Sequence, residues 1–240
     1  LQIENAFDVY PDVKYTDRLN IHFARMGEPM FNFQNVLHTA RHINTSTFRL
    51  RQILIRNLRL ETIHPVLTTM MPKNINVIDS RYNLYNWCEV KNQEYRGQSG
   101  LQISINSTNE DQRKEMFKDG SHTLQDISQI CAFLPRPLGR KYTLNFALAE
   151  GYETDGVKLA KLFNPDYWMV KITPIHNNNS CKANGIETVD GYHSFTPYKT
   201  AEESFKKAGF DVLVFIPSQD EENGCITCGN AILAGSELKV

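Results

Sequence analysis

The chain has 240 residues, enough for one large hydrophobic core or two small ones. Its 41% hydrophobic and 22% charged residues are ordinary for a globular domain, and no run of about 18 apolar residues exists, which excludes a membrane-spanning helix. A net charge of −1 gives no whole-chain attraction to nucleic acid.

In chain order, Leu19 to Ala24 reads as a buried strand. Phe33 to Ile43 follows with Phe33, Val36, Leu37 and Ala40 at helical spacing. Pro65–Thr69 and Leu101–Ile105 read as the second and third strands, separated by an irregular, polar and aromatic insertion from Asn74 to Gly100. A charged helix start at Glu110 and Asp111 precedes a helical stretch from Thr123 to Phe133. Tyr142–Leu148 is a fourth strand, and Val157, Leu159, Ala160, Leu162 and Phe163 mark the next helix. Trp168–Ile175 is a fifth strand, Pro197–Ala208 a helix with Gly209 beyond its end, and Asp211–Ile216 a sixth strand. Such alternation implies parallel pairing, either in a doubly wound sheet or in a full or partial β/α barrel.

Ligands of such folds gather at the carboxyl ends of the strands. The segments there are small or polar: Gly27-Glu28-Pro29, Thr68-Thr69, Ser104 to Ser107, Pro174 to Asn177, and the stretch ending at Cys225 and Cys228. Gly27 and Pro29 also suit a plain tight turn. Five cysteines, an odd number with no secretory leader before them, point to a reducing, cytoplasmic compartment rather than a disulfide framework. Cys88 and Cys131 have apolar neighbours and read as inert core thiols. Cys225-x-x-Cys228 has the spacing of half a zinc site but no second pair, and His38 and His42 read as surface residues. Between Glu28 and Glu61 there is no acid, while Arg41, Arg49, Arg51, Arg56 and Arg59 fall in that window; they form a solvated face or a phosphate-contacting edge.

Five islands carry a resemblance. RMGEPMFNFQNV (Arg25 to Val36) resembles the Met-Gly-Glu-Pro segment of the radical S-adenosylmethionine (SAM) RNA adenine-C2 methyltransferases, which modify rRNA and tRNA. Leu101 to Arg113, Tyr142 to Leu162, Val170 to Asn177, and Cys228-Gly229 with Ala234-Gly235 resemble later motifs of that family in the same order. The resemblance implies a partial (β/α)6 TIM-like radical SAM barrel, with residues 1–240 forming one radical SAM core domain truncated at its N-terminus. It implies SAM and a [4Fe–4S] cluster as cofactors, and RNA and a reductant such as flavodoxin as partners. Gly27 and Glu28 would bind the methionine amine of SAM, and Thr68 its methionine or ribose part. Ser104, Ile105 and Asn106 would line the ribose, with His176 or Asn177 on the adenine side. Cys228 would be the thiol that carries the methyl group to carbon 2 of adenine, because sulfur is nucleophilic enough to accept a methyl.

The chain departs from the family pattern in four places. No Cys-x3-Cys-x2-Cys occurs, so the cluster ligands are expected upstream of Leu1. Asn106 stands where the family has His, Ile175 where it has Trp, and Thr68-Thr69-Met70-Met71 where it has Ser-Thr-Ser-Gly. Two other readings stay open: a radical SAM enzyme with another substrate and no methyl-cysteine step, and a non-enzymatic binding module.

Overall fold

The computed structural model describes residues 2–24, 27–45, 57–175 and 198–216. Six parallel strands occur among them: β1 (Tyr15–Phe23), β2 (Arg59–Thr69), β3 (Gly100–Ser104), β4 (Tyr142–Leu148), β5 (Trp168–Pro174) and β6 (Asp211–Val214). They lie side by side in sequence order. A doubly wound sheet would reverse direction of growth at a switch point, whereas a barrel wall adds each strand to the same side. The sheet is a curled half-barrel, which settles the choice between the two α/β architectures.

The α-helices among the described residues are α1 (Gln2–Val9), α2 (Phe33–Ile43), α3 (Val77–Glu89), α4 (Glu110–Met116), α5 (Leu124–Cys131), α6 (Gly156–Leu162) and α7 (Lys199–Lys207). Asn76, Asn109, Thr123 and Asp155 cap α3 to α6 by accepting hydrogen bonds from main-chain N–H groups of the first turn. Several elements differ from expectation: β1 and β2 begin at Tyr15 and Arg59 rather than at Leu19 and Pro65. The stretch expected to be irregular, Asn74 to Gly100, is mostly α3 and a π-helical turn, Val90–Glu94. Helix α1 was not anticipated.

The register divides the sheet into two faces. Phe23, Leu67, Leu101, Ile103, Leu144, Phe146, Val170 and Ile172 fall on one face and pack with Leu37, Leu84, Trp87, Ile127, Leu159 and Phe205 from the helices. Aromatic pairs join the layers: Phe23 to Trp87 at 6.0 Å and Phe146 to Phe205 at 4.7 Å between ring centroids. The helices cover this face, so the other is the inner face of the half-barrel. β1 is tied to β2 from Tyr15↔Arg59 to Phe23↔Leu67. Pro65, paired with Ile21, has no N–H to give to that ladder. Cys88 and Cys131 are buried free thiols; burial pushes Cys88 up to about 12 and raises Cys131 as well, as inert core thiols should behave.

Candidate functional site

The inner face is polar. One row across the strands reads Thr68, Gln102, Thr143, Met169, Asp211, and the next reads Ser104, Asn145, Lys171, Leu213. Ala147 and Thr173 pair beyond them, nearer the carboxyl ends. Thr143 is 1% exposed, yet its Oγ1 has no hydrogen-bond partner; the same holds for Asn145 Oδ1 and Thr173 Oγ1. Buried polar groups are nearly always paired, so three orphan oxygens on one wall mark a place where hydrogen-bonding capacity is held ready.

Loops at the carboxyl ends form a connected rim above this wall. Glu28 N-caps the short 3-10 turn Pro29–Asn32 by accepting from Met30 N at 3.0 Å. Its other oxygen accepts from Met70 N, also at 3.0 Å, so one carboxylate joins the loops after β1 and β2. Each oxygen retains a lone pair. Gly27 before it has φ +118°, a conformation that suits glycine, and a Cβ built there would meet nothing within 4 Å. Met70 O accepts from Ser121 Oγ at 2.6 Å, and Ser121 in turn accepts from the Arg113 guanidinium at 3.0 Å.

Arg113 is 2% exposed and also donates to the carbonyls of Ile105 and, at 3.2 Å, of His122. Burial lowers its pKa to about 10, with Glu110 opposing that shift. The fork of Arg113 thus fixes the end of β3 where Ser104 presents its side chain to the inner wall. Asn106, at φ +63°, accepts from Ala147 N at 3.0 Å and so pins the end of β3 to β4. Beyond it, Thr108 Oγ1 donates to Glu153 Oε1 at 2.7 Å, and Gln112 Oε1 accepts from Ser107 Oγ at 2.6 Å and from Glu153 N at 2.9 Å. The Thr108 hydroxyl is the main cause holding the Glu153 carboxyl below its usual value.

Of the residues expected from sequence, Gly27, Glu28, Thr68, Ser104 and Asn106 come to this rim and wall. Ile105 contributes only main chain there, because its side chain is wholly buried in the helix-side core. His176, Asn177 and Cys228 lie outside the described residues, as do Arg49, Arg51 and Arg56. His38 and His42 are exposed on α2. Sequence reading missed Gln102, Thr143, Asn145, Lys171 and Thr173. Their signal was present as alternation: Thr143 and Asn145 interrupt Tyr142, Leu144 and Phe146, just as Lys171 and Thr173 interrupt Val170 and Ile172.

Among the described residues no three His, Cys, Asp or Glu side chains gather to hold a metal, and no helix is long and apolar enough to cross a membrane. No family model matches the chain. A probable dual-specificity RNA methyltransferase, RlmN, from Petrotoga mobilis is similar to it, with 22% identity over 169 residues. The match covers 69% of this chain but 42% of that protein, so the chain spans less than half the length of its relative.

Proposed function

We propose that this chain forms the SAM-binding wall of a radical SAM methyltransferase acting on carbon 2 of adenosine in rRNA or tRNA. The observation that carries the reading is the inner wall with its three unpaired oxygens beneath a rim braced by Glu28, Arg113 and Asn106. The distant similarity to an RNA methyltransferase supports it. Residues present fit SAM: Glu28 and the Thr143, Asn145 and Thr173 oxygens can accept from an ammonium or ribose hydroxyls, and Ser104 can do either. When bound, SAM would supply the methyl group. The chain's own part is to orient it and to exclude water along the half-buried wall. The residues present do not fit the iron–sulfur cluster, since the sequence holds no Cys-x3-Cys-x2-Cys. Under this reading its ligands come from outside residues 1–240, RNA is the substrate, and a reductant such as flavodoxin is a partner. Cys228 would carry the methyl group.

Calorimetric titration of the chain with SAM and S-adenosylhomocysteine tests the first half. Both bind, and Ser104→Val and Asn145→Leu each weaken binding about fivefold or more, the worth of one hydrogen bond of about 1 kcal/mol. Absence of binding, or binding indifferent to both substitutions, overturns it. Methylation is tested in the full-length protein by mass spectrometry of RNA nucleosides: 2-methyladenosine forms with wild type and not with Cys228→Ala. Product formed equally by Cys228→Ala refutes the methyl-carrying thiol.

A further inference from the structure

At the end of the strands away from the rim, β2 runs on without β3. It pairs with β1 from Arg59 onward, but β3 joins only at Val66↔Gly100. Arg59 N donates to Lys14 O at 3.0 Å. By the two-residue period of a strand, odd positions therefore turn their main-chain groups to β1, and Leu60, Thr62 and His64 turn theirs toward the side that β3 does not reach. Beside this edge, to which no other described strand pairs, lies a cavity of about 540 Å³ lined by Asn44, Thr62, His64, Tyr95, Arg96 and Gln98, among others. That volume is in the range of about 300–1,000 Å³ typical of small-molecule sites.

Basic groups border the cavity. Arg96 lines it directly. Arg18 is in register with Thr62, one strand away and on the same face as Asn20, the partner of His64. Arg140 is anchored beside Arg96 and Gln98, its N–H donating to Gly97 O at 3.1 Å. Burial, then the charges of Arg18 and Arg140, lower the pKa of His64, which places both guanidiniums within electrostatic reach of that ring. Among the described residues, no side-chain hydrogen bond or ion pair engages Arg18, Arg96 or Arg140. Of the wall's two acids, Glu94 forms an ion pair with Arg41 at 3.0 Å, and Glu61 accepts a hydrogen bond, without an ion pair, from the Tyr15 hydroxyl at 2.5 Å. Three guanidiniums beside a half-open cavity, against one lining carboxylate without a cationic partner among the described residues, match a phosphate, whose oxygens accept forked N–H donors.

The geometry points to a binding site for a phosphorylated small ligand of nucleotide size, its phosphate among Arg18, Arg96 and Arg140 and its polar ring edge along the main-chain groups of Thr62 and His64 at that edge. The site is at the opposite end of the strands from the rim and does not rest on the proposed SAM chemistry.

Thermal unfolding of the full chain with ADP, pyrophosphate, adenosine and a single-stranded RNA tests it. ADP and pyrophosphate raise the midpoint, adenosine at the same concentration does not, and R18Q/R140Q loses at least tenfold in ADP affinity. Lys161→Gln, an exposed charge control, and Ser104→Val at the rim retain the ADP effect. If R18Q/R140Q fails to fold, Arg96→Gln, on an exposed residue outside the strands, takes its place with at least a threefold loss. Adenosine protecting as well as ADP, ADP affinity unchanged in the arginine variants, or loss of the effect in Ser104→Val would each overturn the assignment. So would protection by RNA with none by ADP or pyrophosphate, which would identify a polyanion surface instead.

Discussion

Replacing Thr143 by Val separates a residue that serves the fold from one that serves a ligand. Thr143 is 1% exposed and its Oγ1 has no partner, so the folded protein has removed a hydroxyl from water without compensation. A buried unsatisfied group costs about 1–3 kcal/mol. Val has nearly the same shape and replaces the hydroxyl with a methyl that belongs in such a place. Thr143→Val should therefore stabilise the ligand-free chain by about 1–2 kcal/mol, a rise in midpoint of about 2–8 °C for a chain this long. The same substitution should weaken SAM binding by about fivefold, because the hydroxyl lost is one the ligand would use. Urea unfolding followed by circular dichroism gives the first quantity and calorimetry the second. A destabilised Thr143→Val protein would mean that Oγ1 is already satisfied, and the argument from unpaired oxygens would fail.

Glu28→Ala removes both bonds to Met30 N and Met70 N and should cost about 2–3 kcal/mol in urea unfolding, with Glu28→Gln between it and wild type because the amide presents a donor to one of the two N–H groups. Equal stability of all three proteins would remove the carboxylate from its bracing role. Arg113→Met should lose about 2–3 kcal/mol, and Arg113→Lys nearly as much, since a compact ammonium cannot span Ser121 and two carbonyls; full rescue by Lys refutes the fork. A Cβ on Gly156 would lie 2.3 Å from Ser204 O in α7, whereas one on Gly151 meets nothing within 4 Å despite φ +79°. Gly156→Ala should therefore be the more damaging, at about 3 kcal/mol against about 1; the reverse order in thermal unfolding refutes the close approach of α6 and α7. Lys91, wholly buried with its ammonium donating to Gly97 O and Leu138 O, is lowered by burial to about 8. Above that value the unfolded chain binds more protons at this lysine than the folded one, so Lys91's own contribution to stability should rise between pH 8 and 9 by about 1 kcal/mol. The buried thiols act in the opposite sense over the same window: Cys88, held up at about 12, and Cys131, also raised, keep protons that the unfolded chain loses, so wild-type stability changes little there. Lys91→Met should therefore lose stability against wild type between pH 8 and 9, by about 1 kcal/mol over that unit; parallel profiles of the two proteins would assign the effect elsewhere.

The parts of this fold legible in the sequence were those where one kind of packing acts alone. Helix α2 and strand β4 occupy the residues their apolar spacing indicates, Phe33–Ile43 and Tyr142–Leu148. Helix α3 was hidden because its buried side includes Ser80, while Ile78, Tyr82 and Tyr85 face solvent, so apolar residues surround the helix instead of marking one face. Lys91 just beyond it is buried only because the carbonyls of Gly97, six residues on, and of Leu138, distant in sequence, accept its hydrogen bonds. The choice between barrel and doubly wound sheet stayed open in the pattern of elements, although the strands carried a signal for it. A strand covered by helices on both faces is apolar throughout, and β4 and β5 alternate instead. The site was half legible for a related reason: attention to residues just past each strand finds Glu28 and Asn106 but passes over Thr143 and Asn145, which lie within β4 and face inward through the pleat. Arg113 could be located but not understood, since its partners at Ser121 and His122 are brought to it by the fold.

Pro65 has a consequence for how the molecule opens. Counting along the ladder from the bond between Arg59 N and Lys14 O, the missing N–H of Pro65 is the one that Asn20 O would receive. The outermost strand therefore lacks a rung shortly before its exit, and the carboxylate of Glu28, five residues after Phe23, is the fastening on the far side of that gap. Deuterium should enter the amides of β1 well before those of β4, and earlier still once Glu28 is shortened, so that the sheet unzips from this margin inward.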